Sequence, residues 1–480
     1  MQGLYSAVSP GRFAVRQNGV KDKVDEMTIG RFLREYFVID KRPANAFQWK
    51  GVLPFSFDTW YMLFYTGDGE GYSFEHMIVN PADCQWDATQ HACTSKYLAT
   101  QSYVGVTRYS MDPRKKLQVV STLPPSEFVF EASDSAKPGH TLTFDIKTGR
   151  DKFVSSPAND KGKIDWYSYD TLKATFGVAH ITSYLNNPPR EDEYRGALDD
   201  GHNRVSWDLR VRKVHSYIAT VGGATRGTFL NMYWSTPRID AAVTGEVTIN
   251  GEVRKISNNM GYQEKLWGSK LPDRWLWTHC NSFEGHPDAD VSFTISGEDL
   301  EILGVKIPQF VNKSFEALGY LFYRGRTYPF DSLCDLTQMD FGKKITRKDP
   351  EELTAYVHAQ FIKPFRGLKV VYECFDRQAA QRDEWLSSDD SVLSSDLSLV
   401  SRASLKIYRL TWKGWSLVEE MATNTAAGIL VGGKKGTDFK WYAFPVQLLK
   451  LAQMVFYLVF FFTEEMFFSV FAPNARWRQN

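Results

Sequence analysis

The chain predicts an all-β protein built as two antiparallel halves, with a short helix ahead of the first and an apolar helix after the second. Three observations carry that expectation. Apolar and polar residues alternate in one segment after another, the period of two that belongs to strands with one dry face. Aromatic residues make up 15% of the chain, a share that favours strands and greasy interiors. A length of 480 residues exceeds the size at which a single core keeps growing, so two halves are expected.

Taken in order, Ile29, Phe32, Leu33, Tyr36 and Phe37 fall at helical spacing after Asp25-Glu26, which predicts an amphipathic helix in an N-terminal segment, 1–45, covering a barrel end. From Phe47 the pattern becomes strand-like. Leu142, Phe144 and Ile146 alternate with polar residues, as do Val205, Trp207, Leu209 and Val211, and again Val291, Phe293 and Ile295. Asn250-Gly251 is a strong two-residue hairpin signal. The polar stretch Asn186 to Arg204, with Pro188-Pro189, reads as a loop close to the division between a first half, 46–220, and a second, 221–440. Gln378 to Ser404 is rich in Ser and Asp and reads as exposed or disordered. In the tail, 441–480, Leu451 to Thr463 is an unbroken apolar run. As a helix it would reach about 20 Å, short of the approximately 30 Å of bilayer hydrocarbon. An interfacial helix that meets a membrane surface through residues 444–472 and a helix packed on the barrel are both open readings.

Composition excludes several classes. Lys and Arg number 57 against 56 acidic residues, a net charge of +1, so no general field attracts nucleic acid. The five cysteines, Cys84, Cys93, Cys280, Cys334 and Cys374, are odd in number and unpatterned. They argue against a disulfide framework and make a reducing, intracellular compartment the default, with a Cys84–Cys93 bridge the alternative for an exported chain. Cys84, His91 and Cys93 lack the second pair of ligands a metal site needs, so no metal is expected. Met1 to Arg16 has two arginines and no long apolar stretch, so a secretory signal is not expected, and an organelle-targeting segment is the open alternative. No phosphate-loop, dinucleotide or EF-hand pattern is present, and no cofactor is expected.

Function is concentrated in Gly261 to Gly285, GYQEKLWGSKLPDRWLWTHCNSFEG. In extended chain Tyr262 and Glu264 point together. Trp275, Trp277, His279 and Asn281 share one side of a second run, with Leu276, Thr278 and Cys280 on the other. The turn between the runs contains Gly268 and Pro272, which suggests two neighbouring strands presenting rings and a carboxylate to one cavity.

The string Tyr262-x-Glu264-Lys265-x-Trp267-Gly268, followed by Pro272-x-x-Trp275-x-Trp277-x-x-Cys280-Asn281-x-Phe283-Glu284-Gly285, resembles the signature of the tocopherol cyclase family, related to carotenoid 1,2-hydratases and other double lipocalin-like proteins. Fainter matches follow in the family's order: Trp60-Tyr61 with Asn80-Pro81, then Trp234 and Pro237, then Ala426-Ala427-Gly428 running to Gly432-Gly433. The chain departs from the family where Asp58-Thr59 stands in place of Glu-Gly and where His279 stands in place of Gln. The resemblance implies two lipocalin-like β-barrel or sandwich halves and a hydrophobic guest such as a prenyl quinol, a polyene or a lipid.

A cyclase, hydratase or isomerase acting on a prenyl chain protonates an alkene, and water would quench the resulting cation. Such a site needs a dry carboxylic acid and aromatic walls. Glu264 is the candidate acid, with Tyr262 and His279 as the other catalytic candidates. Trp267, Trp275, Trp277, Asn281, Trp60, Trp234 and His76 are the candidate substrate contacts, with Asp58 and Asp240 lesser acids. The bland reading is that these strings fill the junction between halves, with Glu264 paired to Arg274 or to a backbone donor and the tryptophans filling the core. A non-catalytic lipid carrier of the same fold is the second functional reading. It would be favoured by a Glu264 tied to Arg274 or Lys265.

Overall fold

A computed structural model describes residues between 43 and 434, with gaps of which the longest are 155–168 and 218–231. The helices expected over 29–37 and in the tail lie outside the described residues. Within them the protein is antiparallel sheet joined by turns and three short 3-10 segments. The strands that build the site are β1 (Phe57–Tyr65), β2 (Glu70–Val79), β3 (Gln101–Ser110), β4 (Arg204–Tyr217), β5 (Met232–Ile249), β6 (Glu252–Gly268), β7 (Arg274–Cys280), β8 (Val291–Asp299), β9 (Phe315–Tyr323), β10 (Leu368–Phe375), β11 (Gln381–Leu386), β12 (Val392–Thr411) and β13 (Gly414–Lys434).

In one sheet the order runs β3-β2-β1-β6-β5-β4 and continues through earlier strands, and in the other it runs β9-β8-β7-β13-β12-β10, with β11 paired to β12. The chain leaves the first sheet after Gly268 and joins the second at Arg274. The change of sheet therefore falls at 269–273 and not at the expected division at 220, because β5 and β6 complete the first sheet. The polar stretch before Val205 is not all loop either: Asp192–Asp199 is a strand paired with β4.

Each sheet curls around its own core. On β1, Trp60 meets Phe128 at 6.1 Å and Phe176 at 5.6 Å, although those residues lie on or beside strands many places away in the sheet. In the second sheet Phe293 meets Phe361 and Tyr372 at 6.4 and 4.7 Å. The first interior is plugged by its own N-terminal segment: Phe47 sits 4.5 Å from Phe144, the Asn45 amide donates to Ser183 and Asp192, and the Trp60 indole donates to the Asn45 carbonyl. The alternation expected on β4 is met, with Val205, Trp207, Leu209 and Val211 all buried. Asn250 and Gly251 take positive φ of 52° and 85°, as a two-residue hairpin turn demands.

One expectation fails in an informative way. Strands β1, β7 and β8 are buried on both faces, because the faces turned away from each core lie against one another. This junction has its own apolar cluster: Leu63, Tyr65, Tyr109, Ile239 and Tyr262 from the first sheet, with Trp277, Tyr320, Leu397, Leu399, Val400 and Ala426 from the second. From residue 380 the Ser- and Asp-rich stretch expected at 378–404 is likewise no exposed loop, since it forms β11 and the start of β12. Leu397, Leu399 and Val400 enter the junction while Ser395, Ser398 and Ser401 are buried beside them, small enough for two sheets to approach closely. Hydrogen bonds fasten the halves. The Asn80 amide donates to the Ser388 carbonyl (2.7 Å), the Asn281 amide to the Gly261 carbonyl (2.9 Å), and the Ser292 hydroxyl to Asp240 (2.7 Å).

Candidate active site at the junction of the two sheets

Strand periodicity turns Tyr262 and Glu264 of β6 into the junction and Gln263 and Lys265 into the first core. On the neighbouring strand β5, register shifts between Ser235 and Ala241 interrupt the ladder near Trp234. The Trp234 indole N–H donates to Glu264 Oε2 at 2.7 Å, and the Tyr262 hydroxyl donates to the same oxygen. Burial pushes the Glu264 carboxyl up to about 7 against the downward pull of those two donors, because an anion in a dry site loses its hydration.

No cation offsets this charge among the described residues. Arg274 instead forms a two-pronged pair with Asp299 (2.9 and 2.6 Å), and Lys265 pairs with Asp58 on the opposite face, its ammonium 3.8 Å from the centre of the Trp60 ring.

The opposing wall comes from β7. Its Leu276 and Cys280 face the second core, while Trp277 and His279 face the junction, 5.2 and 4.8 Å from the Tyr262 ring. The division of faces expected from the sequence is met. The two runs, however, are not neighbours in one sheet: β6 pairs with β1 and β5, β7 pairs with β8 and β13, and the runs meet across the junction.

The tryptophans lie against glycines of β13. A Cβ on Gly428 would stand 2.6 Å from the Trp277 ring, and one on Gly432 would stand 2.2 Å from Trp275. His279 Nδ1 bonds the Thr294 hydroxyl at 2.7 Å, its Nε2 has no hydrogen-bond partner among the described residues, and burial lowers the imidazole to about 4. It is a neutral ring offering one nitrogen. Among the described residues the Asn281 carbonyl oxygen likewise has no hydrogen-bond partner.

Three predicted contacts are elsewhere. Trp60 and His76 occupy the first core, one strand face away. His76 is wrapped by Phe176, Tyr194 and Trp207, and burial holds it down at about 3. Trp267 stacks on Tyr233 at 5.6 Å near Lys265. Trp275 is on the junction face but reaches towards Trp385 of β11 at 6.0 Å. Asp240 is fully buried, holding His215 at 2.9 Å as well as Ser292.

Sequence reasoning selected His76 and passed over its neighbour Glu75. Tyr61 of β1 stands opposite Glu264 on one side and Glu75 of β2 on the other, so both carboxyls share the junction face, about 10 Å apart across two strand spacings. Burial, followed by the charges of Asp383 and Glu264, pushes Glu75 up to about 8. Tyr103 folds over Gly105, the residue opposite Glu75 on β3. The period of two would have found Glu75 only with the strand pairing known.

Residues 185–336 match the family model described as tocopherol cyclase-like. Over that span the chain is similar to the family so described. The matched segment straddles the crossing between sheets, so it contains Trp234, Tyr262 and Glu264 from one wall and Trp277, His279 and Asn281 from the other; Tyr61 and Glu75 precede it. No curated protein sequence matches the chain. Among solved structures, CghA is similar, at 11% identity over 79% of this chain and 88% of that one, with a TM-score of 0.45. Kievitone hydratase from Nectria haematococca is similar at 9% identity over 79% and 89%, TM-score 0.36. A putative AttH from Nitrosomonas europaea is similar at 11% identity over 82% and 98%, TM-score 0.36.

Proposed function

We propose that the junction is the active site of a cofactor-independent enzyme of the cyclase, hydratase or isomerase type, acting on a small hydrophobic, prenyl-type substrate. The observation that carries this reading is Glu264: a carboxyl held by Trp234 and Tyr262, among aromatic rings, with no paired cation. Such an acid keeps its proton near neutrality and can give it to a carbon–carbon double bond.

The cation left on the substrate would lie beside the ring faces of Trp277 and Tyr262, each worth about 1 to 2 kcal/mol when desolvated. It is then discharged by the substrate's own hydroxyl, by water, or by loss of a neighbouring proton, and in each case a proton returns to the Glu264 carboxylate. Glu75, protonated at neutral pH on the same face, is placed to donate a hydrogen bond to a substrate oxygen. His279 Nε2 serves the opposite end as a neutral hydrogen-bonding group. The carrier reading expected Glu264 to be tied to Arg274 or Lys265, and the Asp299 and Asp58 pairings of those residues speak for chemistry instead.

Replacement Glu264→Gln keeps the shape and removes the acid. Turnover of a quinol or polyene substrate should fall by about 10²- to 10⁴-fold, with binding of the substrate retained. Unchanged turnover would remove Glu264 from the mechanism. Mass spectrometry of lipids that co-purify with the native protein identifies the guest, and recovery of none but polar metabolites would speak against a hydrophobic site.

A further inference from the structure

The two longest strands, β12 and β13, form a hairpin that closes at Trp412-Lys413. Most of its length is covered, but its end is not: Trp412 is 91% exposed, Leu410 52%, Leu417 48%, Val418 40% and Trp415 37%. Exposed apolar residues are ordinary when scattered. Here they are gathered, for Leu410 stands opposite Trp415 and Tyr408 opposite Leu417 in the ladder, giving one continuous apolar face capped by Trp412.

The surrounding charge has one sign. Between 409 and 418 the charged residues are Arg409 and Lys413, and the adjoining turn and start of β10 add Arg366 and Lys369, with no carboxylate between 409 and 418 or between 366 and 369. The next acids along the hairpin are engaged, Glu419 by Tyr323, Arg324 and His286, and Glu420 by Lys406.

We propose that the tip Leu410–Val418 docks on an anionic lipid surface, with Trp412, Trp415 and Leu410 entering the headgroup layer while Arg366, Lys369, Arg409 and Lys413 meet lipid phosphates. Indoles and leucines backed by a cationic collar suit the boundary between water and acyl chains, where amphipathic rings sit and basic side chains snorkel outward. The one-signed collar selects a bilayer over a second copy of the chain, whose matching tip would repel it. The tip precedes the apolar run at 444–472 in the sequence. Among the described residues no helix is long and apolar enough to cross a membrane.

The test is flotation of the full chain with phosphatidylcholine vesicles, with and without phosphatidylserine. The protein should float with the anionic vesicles, less so as salt rises, and Trp412→Ser with Trp415→Ser should weaken the apparent affinity at least about tenfold without shifting the melting temperature. Lys413→Glu, at an exposed turn, gives the same test should the double variant fold poorly. A chain lacking Gln447 to Asn480 should still float and still respond to Trp412→Ser. Equal flotation of wild type and tip variants would overturn the proposal, as would loss of all binding on removal of that tail. So would a wild type that ignores vesicles and sediments as a dimer while the tip variant is monomeric.

Discussion

Glu264 and Glu75 keep protons in the fold that a solvated glutamate gives up, and this has a sign that can be measured. Both carboxyls are raised from 4.5, to about 7 and about 8, so the stability they contribute is complete below 4.5 and is lost as pH rises through 7 and 8. His76 and His279 are lowered from 6.5, to about 3 and about 4, so their share is complete above 6.5 and is lost as pH falls below it. The four groups together place a stability maximum near pH ~5.5. Urea midpoints measured from pH 4.5 to 8.5 should show it, and Glu75→Gln should raise stability at pH 8 by about 1 to 3 kcal/mol. A flat profile would mean that these carboxyls are hydrated. Turnover should fall along the same alkaline limb. Tyr262 and Glu264 were legible as a pair because two residues of spacing on a strand always share a face. Glu75 was not, since its link to Glu264 runs through Tyr61 and exists only once β6, β1 and β2 are paired.

At the scale of elements, β7 and β13 depend on each other's smallest and largest side chains. Gly428→Ala would drive a methyl group into the Trp277 ring, and Gly432→Ala would do the same to Trp275. Each should cost about 1 to 3 kcal/mol and alter the near-ultraviolet dichroism of the indoles. A full-strength signal with an unchanged melting temperature would show that the rings are free to move aside. Asn80 closes β2 in a left-handed conformation (φ 48°), accepts from the Ser56 N–H and donates to the Ser388 carbonyl. Asn80→Gly keeps that conformation while deleting both bonds, so a loss of about 1 to 3 kcal/mol would measure the clasp alone. The periodicity of β4 and β8 and the Asn250-Gly251 turn were readable because each depends on neighbouring residues only. Residues 378–404 were misread because Ser and Asp signal solvent on average, whereas at a close sheet-to-sheet contact a serine is valued for its size.

For the whole molecule, the number of halves was readable from length and pattern, but their division was not. A Pro-rich loop suggested 220, whereas the sheet is complete only after β6, whose long ladder with β5 no local signal announces. Because β1, β7 and β8 are covered on both faces, neither half presents a finished surface alone. Thermal unfolding should therefore be one cooperative transition with coincident fluorescence and circular dichroism, and two resolved steps would show that the junction contributes little. Cys84 is disulfide-bonded, which the unpatterned cysteine count did not favour, and Cys280 and Cys374 are free and buried.

The passage between sheets at 269–273 divides the site as well as the fold. Every proton-donating group proposed here is encoded before it, and the indole and imidazole that shape the facing wall are encoded after it. A lineage that recombined at this short bridge would inherit a working acid together with a new mould for the guest, and so change what it transforms without reinventing how.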